Sequence, residues 1–279
     1  NSDTVTNTPG TDTYTAIYTV ASGDTNGLLA FTIDYQDIAG NSGTQVTQAD
    51  LTGSNVTIDT NAPGMTITSS TVTTGQTSNN SSIALQFLST EETSDFVVGN
   101  ISVSNGSLGT LSNPSLDNRT FTAVFTPSGD GLCQISVAEN KFTDATGNNN
   151  SASNTFQWTY DAASPTAEIQ YSPAGRLYRN TQTVRITANF NEDMASSPAP
   201  KIEIAGPDTA SVSAINMTYV SATEYYYDYA VPTQNGTGII SLRTGTDLAG
   251  NVITTKPTND TETFTVDNTR PSMTISSTS

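Results

Sequence analysis

A six-residue phrase recurs along this chain at a nearly constant interval. QDIAGN, TDATGN and TDLAGN lie at 36–41, 143–148 and 246–251, and their aspartates are Asp37, Asp144 and Asp247. A second phrase follows each of them, again about a hundred residues apart, and it is built around Asp59, Asp161 and Asp267. Two independent phrases with one period predict a tandem repeat of a single domain.

Within each period, apolar and polar residues alternate over short runs. In VRITANF (184–190), the alternation puts Val184, Ile186, Ala188 and Phe190 on one face of a strand. YTAIY (14–18), FTAVF (121–125) and YYYDY (225–229) align, and we expect their first, third and fifth residues to point inward. Gly27, Gly131 and Gly238 are each predicted to open the next strand. About seven short strands per hundred residues, separated by turn signals, predict an all-β fold of β-sandwiches.

Composition supports this fold and narrows the chemistry. The 279 residues include 50 Thr and 32 Ser, which favour strands and turns over long helices. There is no His, and the single Cys133 lies at an inward strand position, so we expect a buried thiol. Zinc sites, His-based triads and an intramolecular disulfide are therefore excluded. No apolar run is long enough to span a membrane.

The charge is strongly negative. Nine Lys and Arg stand against 26 Asp and Glu, for a net charge of −17, and the first basic residue is Arg119. Such a surface repels nucleic acid and anionic lipid, and its natural counterions are divalent cations. Alternatively, the charge serves only to keep a Thr-rich surface soluble.

The phrase DLAGN, followed by FTVDNTRPSMTI, resembles the tandem bacterial Ig-like domains of surface adhesins and of extracellular, pilus-like filament proteins. The resemblance extends over nearly the whole chain and implies Ig-like β-sandwiches in a linear array. It also implies Ca²⁺ at the domain junctions. The matching acids are Asp59, Asp161 and Asp267 in the linkers, Asp37, Asp144 and Asp247 in the turns, and Glu91, Glu92, Glu192 and Asp193 in loops. A purely structural role for the turns stays open, because Asp can bond to backbone N–H groups of its own turn.

The repeat also predicts domain boundaries. Complete domains are expected at 62–161 and 162–268, and 269–279 reads as the first strand of a further domain. Residues 1–61 read as the back half of a domain, with strands at 2–8, 13–20, 28–35 and 55–59, but without the first two strands. The chain is then a window on a longer array, or strands are exchanged between copies, or 1–61 holds structure that the pattern does not reveal.

Strand exchange has a specific candidate. SMTISST (272–278) matches GMTITSS (64–70), the first strand of a complete repeat. We therefore expect 272–278 to enter the open half-domain 1–61 of another copy and to bury Met273 and Ile275. Residues 1–8, entering the last domain of another copy, are the alternative donor.

The pattern predicts no enzyme. The acid pairs 91–92 and 192–193 lack a catalytic partner, and no nucleophile or phosphate-binding motif is present. In YYYDY, only Tyr226 is expected to face outward, which favours core packing over sugar binding. Ten N-glycosylation sequons occur, at Asn55, Asn79, Asn80, Asn100, Asn105, Asn118, Asn149, Asn216, Asn235 and Asn259.

The sequence thus favours a non-catalytic structural segment of an extracellular fibre at the cell surface. Its partners are other copies of itself, and its only expected cofactor is Ca²⁺. The alternative is the ligand-binding or stalk region of a large cell-surface adhesin.

Overall fold

The computed structural model describes residues 5–7, 11–206 and 211–277. These residues form an all-β chain without an α-helix, as predicted. No helix within these ranges is long and apolar enough to cross a membrane. The fold has three parts: the N-terminal segment (residues 1–61), sandwich I (62–161) and sandwich II (162–268).

The N-terminal segment contains only short two-stranded ladders, β1–β2, β3–β6 and β4–β5. Its elements are β1 Val5–Asn7, β2 Tyr14–Ala16, β3 Gly27–Leu28, β4 Thr32–Ile33, β5 Val46–Thr47, β6 Thr57–Ile58 and a 3-10 helix, Gln48–Asp50. Strand β5 and the 3-10 helix were not predicted, and residues 2–4 and 8 of the predicted first strand lie outside the described residues. The inward orientation predicted for YTAIY (14–18) is wrong: Tyr14 and Ala16 are exposed and Tyr18 is only half-buried, because no second sheet packs against this ladder. Ile58 is the one described apolar residue of this segment that is buried.

Sandwich I consists of two four-stranded sheets, ordered β11-β12-β9-β7 and β10-β13-β14-β8. The strands are β7 Met65–Ser69, β8 Thr77–Ser78, β9 Ile83–Ser89, β10 Ile101–Ser104, β11 Gly106–Leu108, β12 Thr120–Pro127, β13 Gly131–Val137 and β14 Phe156–Tyr160, with a 3-10 helix at Val98–Asn100. The N-terminal stretch of the sandwich contributes to both sheets, since β7 pairs with β9 and β8 runs parallel to β14. Strict alternation along β9 buries Ile83, Leu85 and Phe87. The predicted inward residues of FTAVF (121–125) are likewise buried.

Sandwich II repeats this arrangement, with one strand more. The strands are β15 Ala167–Ser172, β16 Leu177–Tyr178, β17 Thr183–Phe190, β18 Lys201–Ala205, β19 Val212–Asn216, β20 Thr218–Ser221, β21 Glu224–Ala230, β22 Gly236–Arg243 and β23 Thr263–Val266. The sheets are β15-β17-β21-β20 and β16-β23-β22-β18-β19. The additional strand is β19, which pairs with β18 and forms the edge of its sheet. In sandwich I, the strand equivalent to β18 is β10, and β10 is itself the edge strand. The two sandwiches have separate hydrophobic cores.

The tyrosine run packs largely as predicted. Tyr225 and Tyr229 are buried and Tyr227 is half-buried against the core. Tyr226 points to the other face, where the guanidinium of Arg185 lies 3.9 Å from its ring centroid. Cation–π contact on this outer face gives Tyr226 an ordinary structural partner.

Two further predictions can be compared with the structure. Cys133 is fully buried, as expected, and burial raises the pKa of its thiol. Gly238 as a strand opener is wrong: strand β22 begins at Gly236, which pairs with Val266 just as Gly131 pairs with Tyr160. Both glycines have positive φ, 152° and 129°, which only glycine adopts without strain. Gly238 lies inside the strand, where the ring of Phe264 occupies the space of a Cβ.

A side-chain amide covers the outer edge of the first strand in each sandwich. Asn154 accepts from the backbone N of Ile67 at 2.7 Å and donates to its backbone O at 3.0 Å. Asn259 makes the same two contacts with Ile169, at 3.2 and 2.9 Å. The amide thus takes the hydrogen-bonding place of a neighbouring strand.

The predicted donor segment lies outside both sandwiches. Residues 269–277 form no strand, and Met273 and Ile275 are each 86% exposed. Residue 278 of the predicted donor lies outside the described residues.

Candidate metal centre at the domain junctions

The repeated hexapeptide forms the same hydrogen-bonded turn three times. In the second turn, the backbone N of Asn148 donates to Oδ1 of Asp144 at 2.9 Å, and its Nδ2 donates to Oδ2 at 2.9 Å. The glycine before the asparagine has φ of 96°. The other two turns repeat both contacts, at 2.8 and 2.8 Å in Asp37–Asn41 and at 2.8 and 2.9 Å in Asp247–Asn251. The aspartate therefore has a structural role in each turn as the acceptor of these two hydrogen bonds.

The asparagine of the turn also holds the linker in front of its own sandwich. Nδ2 of Asn148 donates to the backbone O of Asp59 at 3.0 Å. Nδ2 of Asn251 donates to the backbone O of Asp161 at 2.9 Å. We call this pair of contacts, from the turn amide to the turn aspartate and to the linker carbonyl, the junction clamp. The clamp was not predicted from the sequence, although an asparagine stands at the end of all three turns.

The linker aspartates are shaped by a second repeated contact. Oδ1 of Asp59 accepts from the backbone N of Asn61, and Oδ1 of Asp161 accepts from that of Ala163, both at 3.0 Å. Asp267 makes the equivalent contact at 2.8 Å. Each linker therefore turns in the same way as it leaves the preceding strand.

The turn and the linker meet a loop acid at both junctions. Asp59, Glu91 and Asp144 form one group, and Asp161, Glu192 and Asp247 form the other. In each group, one carboxylate oxygen per residue lies within 4.8 Å of the others, and the turn aspartate is buried. We call these groups junction cluster I and junction cluster II. In each cluster, one acid is the linker aspartate that precedes the sandwich, and the other two acids belong to the sandwich itself.

Four of the acids named from the sequence belong to neither cluster. Glu92 and Asp193 are the exposed neighbours of the loop acids Glu91 and Glu192. Asp37 and Asp267 are also exposed, and each lacks the two partners that complete a cluster within the described residues.

Burial and neighbouring carboxylates both disfavour the ionised form of the loop acid in each cluster. Burial, together with the carboxylates of Asp59 and Asp144, raises the pKa of Glu91 above its usual value. Burial and the carboxylates of Asp161 and Asp247 do the same for Glu192. A positive charge placed between the three groups would relieve this repulsion.

The turn aspartate of cluster I remains charged. Burial disfavours the ionised form of Asp144, but hydrogen bonds from Asn148 and Thr146 outweigh this effect and lower its pKa to about 2. The turn therefore fixes one ionised carboxylate at the centre of the junction.

The surroundings of the two clusters differ in charge. Cluster I lines an open pocket of about 490 Å³ that also contains Arg119, which opposes the raised pKa of Glu91. Near cluster II the additional charge is negative, because Asp130 contributes to the raised pKa of Glu192. Asp130 also accepts from the backbone N of Ala162 at 2.8 Å, so it belongs to the junction.

The donor set fits a hard divalent cation. Three carboxylates supply oxygen atoms only, which Ca²⁺ prefers, and nearby backbone carbonyls and water can complete six to eight ligands. Nitrogen and sulfur ligands, which would favour zinc or copper, are lacking in both clusters.

The sequon asparagines differ in exposure and in whether their side-chain amides already donate a hydrogen bond. The side-chain amides of Asn79, Asn100, Asn105 and Asn259 donate hydrogen bonds within the described fold. A glycan on such an amide would compete with these contacts. The exposed sequon asparagines without such a bond in the described residues are Asn55, Asn80, Asn118, Asn149 and Asn216. Asn235 is exposed but donates to Thr269.

Comparison with known proteins agrees with this architecture. Residues 59–160 match the family model of the bacterial Ig-like domain. No curated protein matches the chain. Among solved structures, the D00-D0 domain of intimin is 10% identical, with a TM-score of 0.35, and covers 73% of this chain and 100% of its own. The Yersinia pseudotuberculosis adhesin InvE is 11% identical, with a TM-score of 0.26, and the match covers 74% of this chain and 58% of the adhesin. The predicted resemblance is thereby confirmed: the chain is all-β, and residues 59–160 match the bacterial Ig-like domain over almost the whole of sandwich I.

Proposed function

We propose that the chain is a non-catalytic, extracellular spacer that holds Ig-like sandwiches end to end in a bacterial surface stalk or fibre. The observation that carries this proposal is that two successive junctions use the same clamp and the same trio of acids. A protein whose role is to set distance and direction needs such equivalent junctions, whereas an enzyme needs a single concave site. The match of residues 59–160 to a bacterial Ig-like domain supports a location at the cell surface.

Calcium at the junction clusters is the second part of this proposal. Bound Ca²⁺ would tie the linker aspartate to two acids of the following sandwich and so restrict the interdomain angle. Without the cation, three carboxylates repel one another across the same junction.

Removal of calcium is therefore expected to loosen the array. In excess EDTA, we expect a lower melting temperature and a wider distribution of end-to-end distances by small-angle X-ray scattering. The double variant Glu91→Gln/Glu192→Gln should respond much less to EDTA, while Glu92→Gln/Asp193→Asn, its exposed neighbours, should respond as the wild type does. Unchanged melting and scattering on chelation would show that calcium has no structural role.

Assembly by strand donation is a finer proposal, and two observations favour it. The N-terminal segment exposes the apolar side chains that a first strand would cover. Residues 269–277 form no strand, the segment 272–278 is similar in sequence to β7, and Met273 and Ile275 are exposed. Burying both side chains would contribute about 1.5–3 kcal/mol each.

Deletion of residues 272–279 tests the donation directly. We expect the truncated chain to stop forming head-to-tail polymers in electron micrographs, while both sandwiches retain their melting transitions. Polymers of unchanged length would rule out this donor. The residues 1–8 would then be deleted in turn.

The rival function, a ligand-binding adhesin region, makes a different prediction. A saturable, micromolar interaction in a glycan or protein array would favour the adhesin. The orientation of the tyrosine run, with two rings buried and Tyr226 covered by Arg185, gives no support to a sugar-stacking surface.

A further inference from the structure

We propose that the end of sandwich II binds the turn 36–41 of a second copy of this chain. We define the C-terminal pole as Arg179, Asn235 and residues 267–270. The proposal rests on the proposed head-to-tail assembly and names the two surfaces that meet in it.

The chain itself contains a template for this contact. The equivalent end of sandwich I touches the turn of sandwich II through Asn79, which follows β8 directly. Its backbone N donates to the backbone O of Ala249 at 3.2 Å, and its Nδ2 donates to Oδ1 of Asn251 at 3.1 Å. At the same junction, Asn251 donates to the backbone O of Asp161. An end of one sandwich thus binds the D-x-A-G-N turn of the next.

The C-terminal pole is already shaped like its counterpart. The backbone N of Asp267 donates to the backbone O of Tyr178 at 2.8 Å. At the end of sandwich I, the backbone N of Asp161 donates to the backbone O of Ser78 at 3.2 Å. The backbone N of Asn268 donates to Oδ1 of Asn235 at 2.7 Å. The equivalent contact in sandwich I is the one from the backbone N of Ala162 to Oδ1 of Asp130, at 2.8 Å. These bonds hold the chain that leaves sandwich II in the same way as the linker that leaves sandwich I.

The turn at 36–41 is the matching half. It contains the same internal hydrogen bonds as the other two turns, so its conformation is already formed in the single chain. In the described part of the chain, however, Nδ2 of Asn41 bonds only to Asp37, and the backbone O of Asp267 accepts no hydrogen bond. The apolar tip residue Ile38 has a relative exposure of 108%, whereas the equivalent Leu248, next to sandwich I, has 62%.

Charge favours this pairing. Arg179 stands where sandwich I has Asn79, and Arg270 follows the linker aspartate. Both are exposed, and neither forms an ion pair with a described residue. The first 118 residues of the chain contain eleven acids and no basic residue. The pole therefore presents two free cations to the most acidic part of the molecule, which would speed encounter and orient it.

Sedimentation velocity of the full chain, over a range of concentration and NaCl, tests the proposal. Arg179→Glu and Ile38→Asp should each weaken self-association on the order of tenfold at low salt. Lys141→Glu and Leu116→Asp, exposed changes of the same kind elsewhere, should leave it within about twofold. Wild-type association should also weaken as NaCl increases.

The deletion of 272–279 separates this contact from strand donation. If the pole binds the turn but no strand is donated, the deleted chain still associates and remains sensitive to Arg179→Glu. If a strand is donated without the pole contact, the deletion abolishes association and Arg179→Glu has no effect, which overturns the proposal. A wild-type chain that stays monomeric at every concentration also overturns it.

Discussion

Replacing Trp158 with Ala is expected to lower the free energy of unfolding of sandwich I by about 3–5 kcal/mol and to leave sandwich II unchanged. Trp158 is fully buried, and its ring packs edge-on against Phe125 at a centroid distance of 5.0 Å. Removing it leaves a cavity between the two sheets. Because the sandwiches have separate cores, we expect the loss of stability to be confined to sandwich I. Differential scanning calorimetry should show one transition shifted to lower temperature and the other at its original position.

Two control variants sharpen this experiment. Trp158→Phe keeps an aromatic ring and removes an Nε1 that has no hydrogen-bond partner among the described residues, so it should cost far less. Leu132→Ala changes an exposed residue on the strand next to Trp158 and should cost less than about 0.5 kcal/mol. A single transition that shifts as a whole would contradict the independence of the two cores.

Replacing Asn251 with Ala is expected to have the second largest effect, because this residue is buried and holds the junction clamp. Its amide bonds to Asp247, to the backbone O of Asp161 and to Asn79. Stranding buried polar groups costs about 1–3 kcal/mol each, so we expect sandwich II to lose about 2–3 kcal/mol. Scattering should also show a wider range of angles between the sandwiches.

Asn41→Ala provides the matched control for that variant. Asn41 makes the same contacts within its turn but none to a linker among the described residues. Its substitution should cost less than about 1 kcal/mol, because the groups it leaves unpaired are exposed to water. Equal effects of the two substitutions would show that the turn matters and the clamp does not.

The sequence was informative wherever local pattern decides the structure. Alternation along VRITANF and FTAVF correctly predicted which side chains are buried, because the side-chain period of a strand is two. The turn phrase was recognised because Asp, Gly and Asn have fixed roles in a tight turn. Its asparagine amide was missed because it bonds to a carbonyl some 90 residues away, and no local pattern records such a contact.

Other features depend on packing that a periodic pattern does not encode. The additional strand β19 and the shift from Gly238 to Gly236 arise in sandwich II alone, where the spacing between strands differs from that of sandwich I. The candidate acids show the same limit. Spacing identified ten of them, but only the fold shows that Glu91 faces Asp59 and Asp144 while its neighbour Glu92 does not.

The amides of Asn154 and Asn259 have a consequence for molecules that stand side by side. A Thr-rich strand with a bare edge is a template on which another chain can add a strand. Two chains that paired in this way would share one continuous sheet. The edge beside Ile67 and Ile169 is already occupied by a side chain, so this route is closed on that flank of both sandwiches. Another chain therefore cannot extend the sheet of β7 or of β15 at these residues while the amide stays in place.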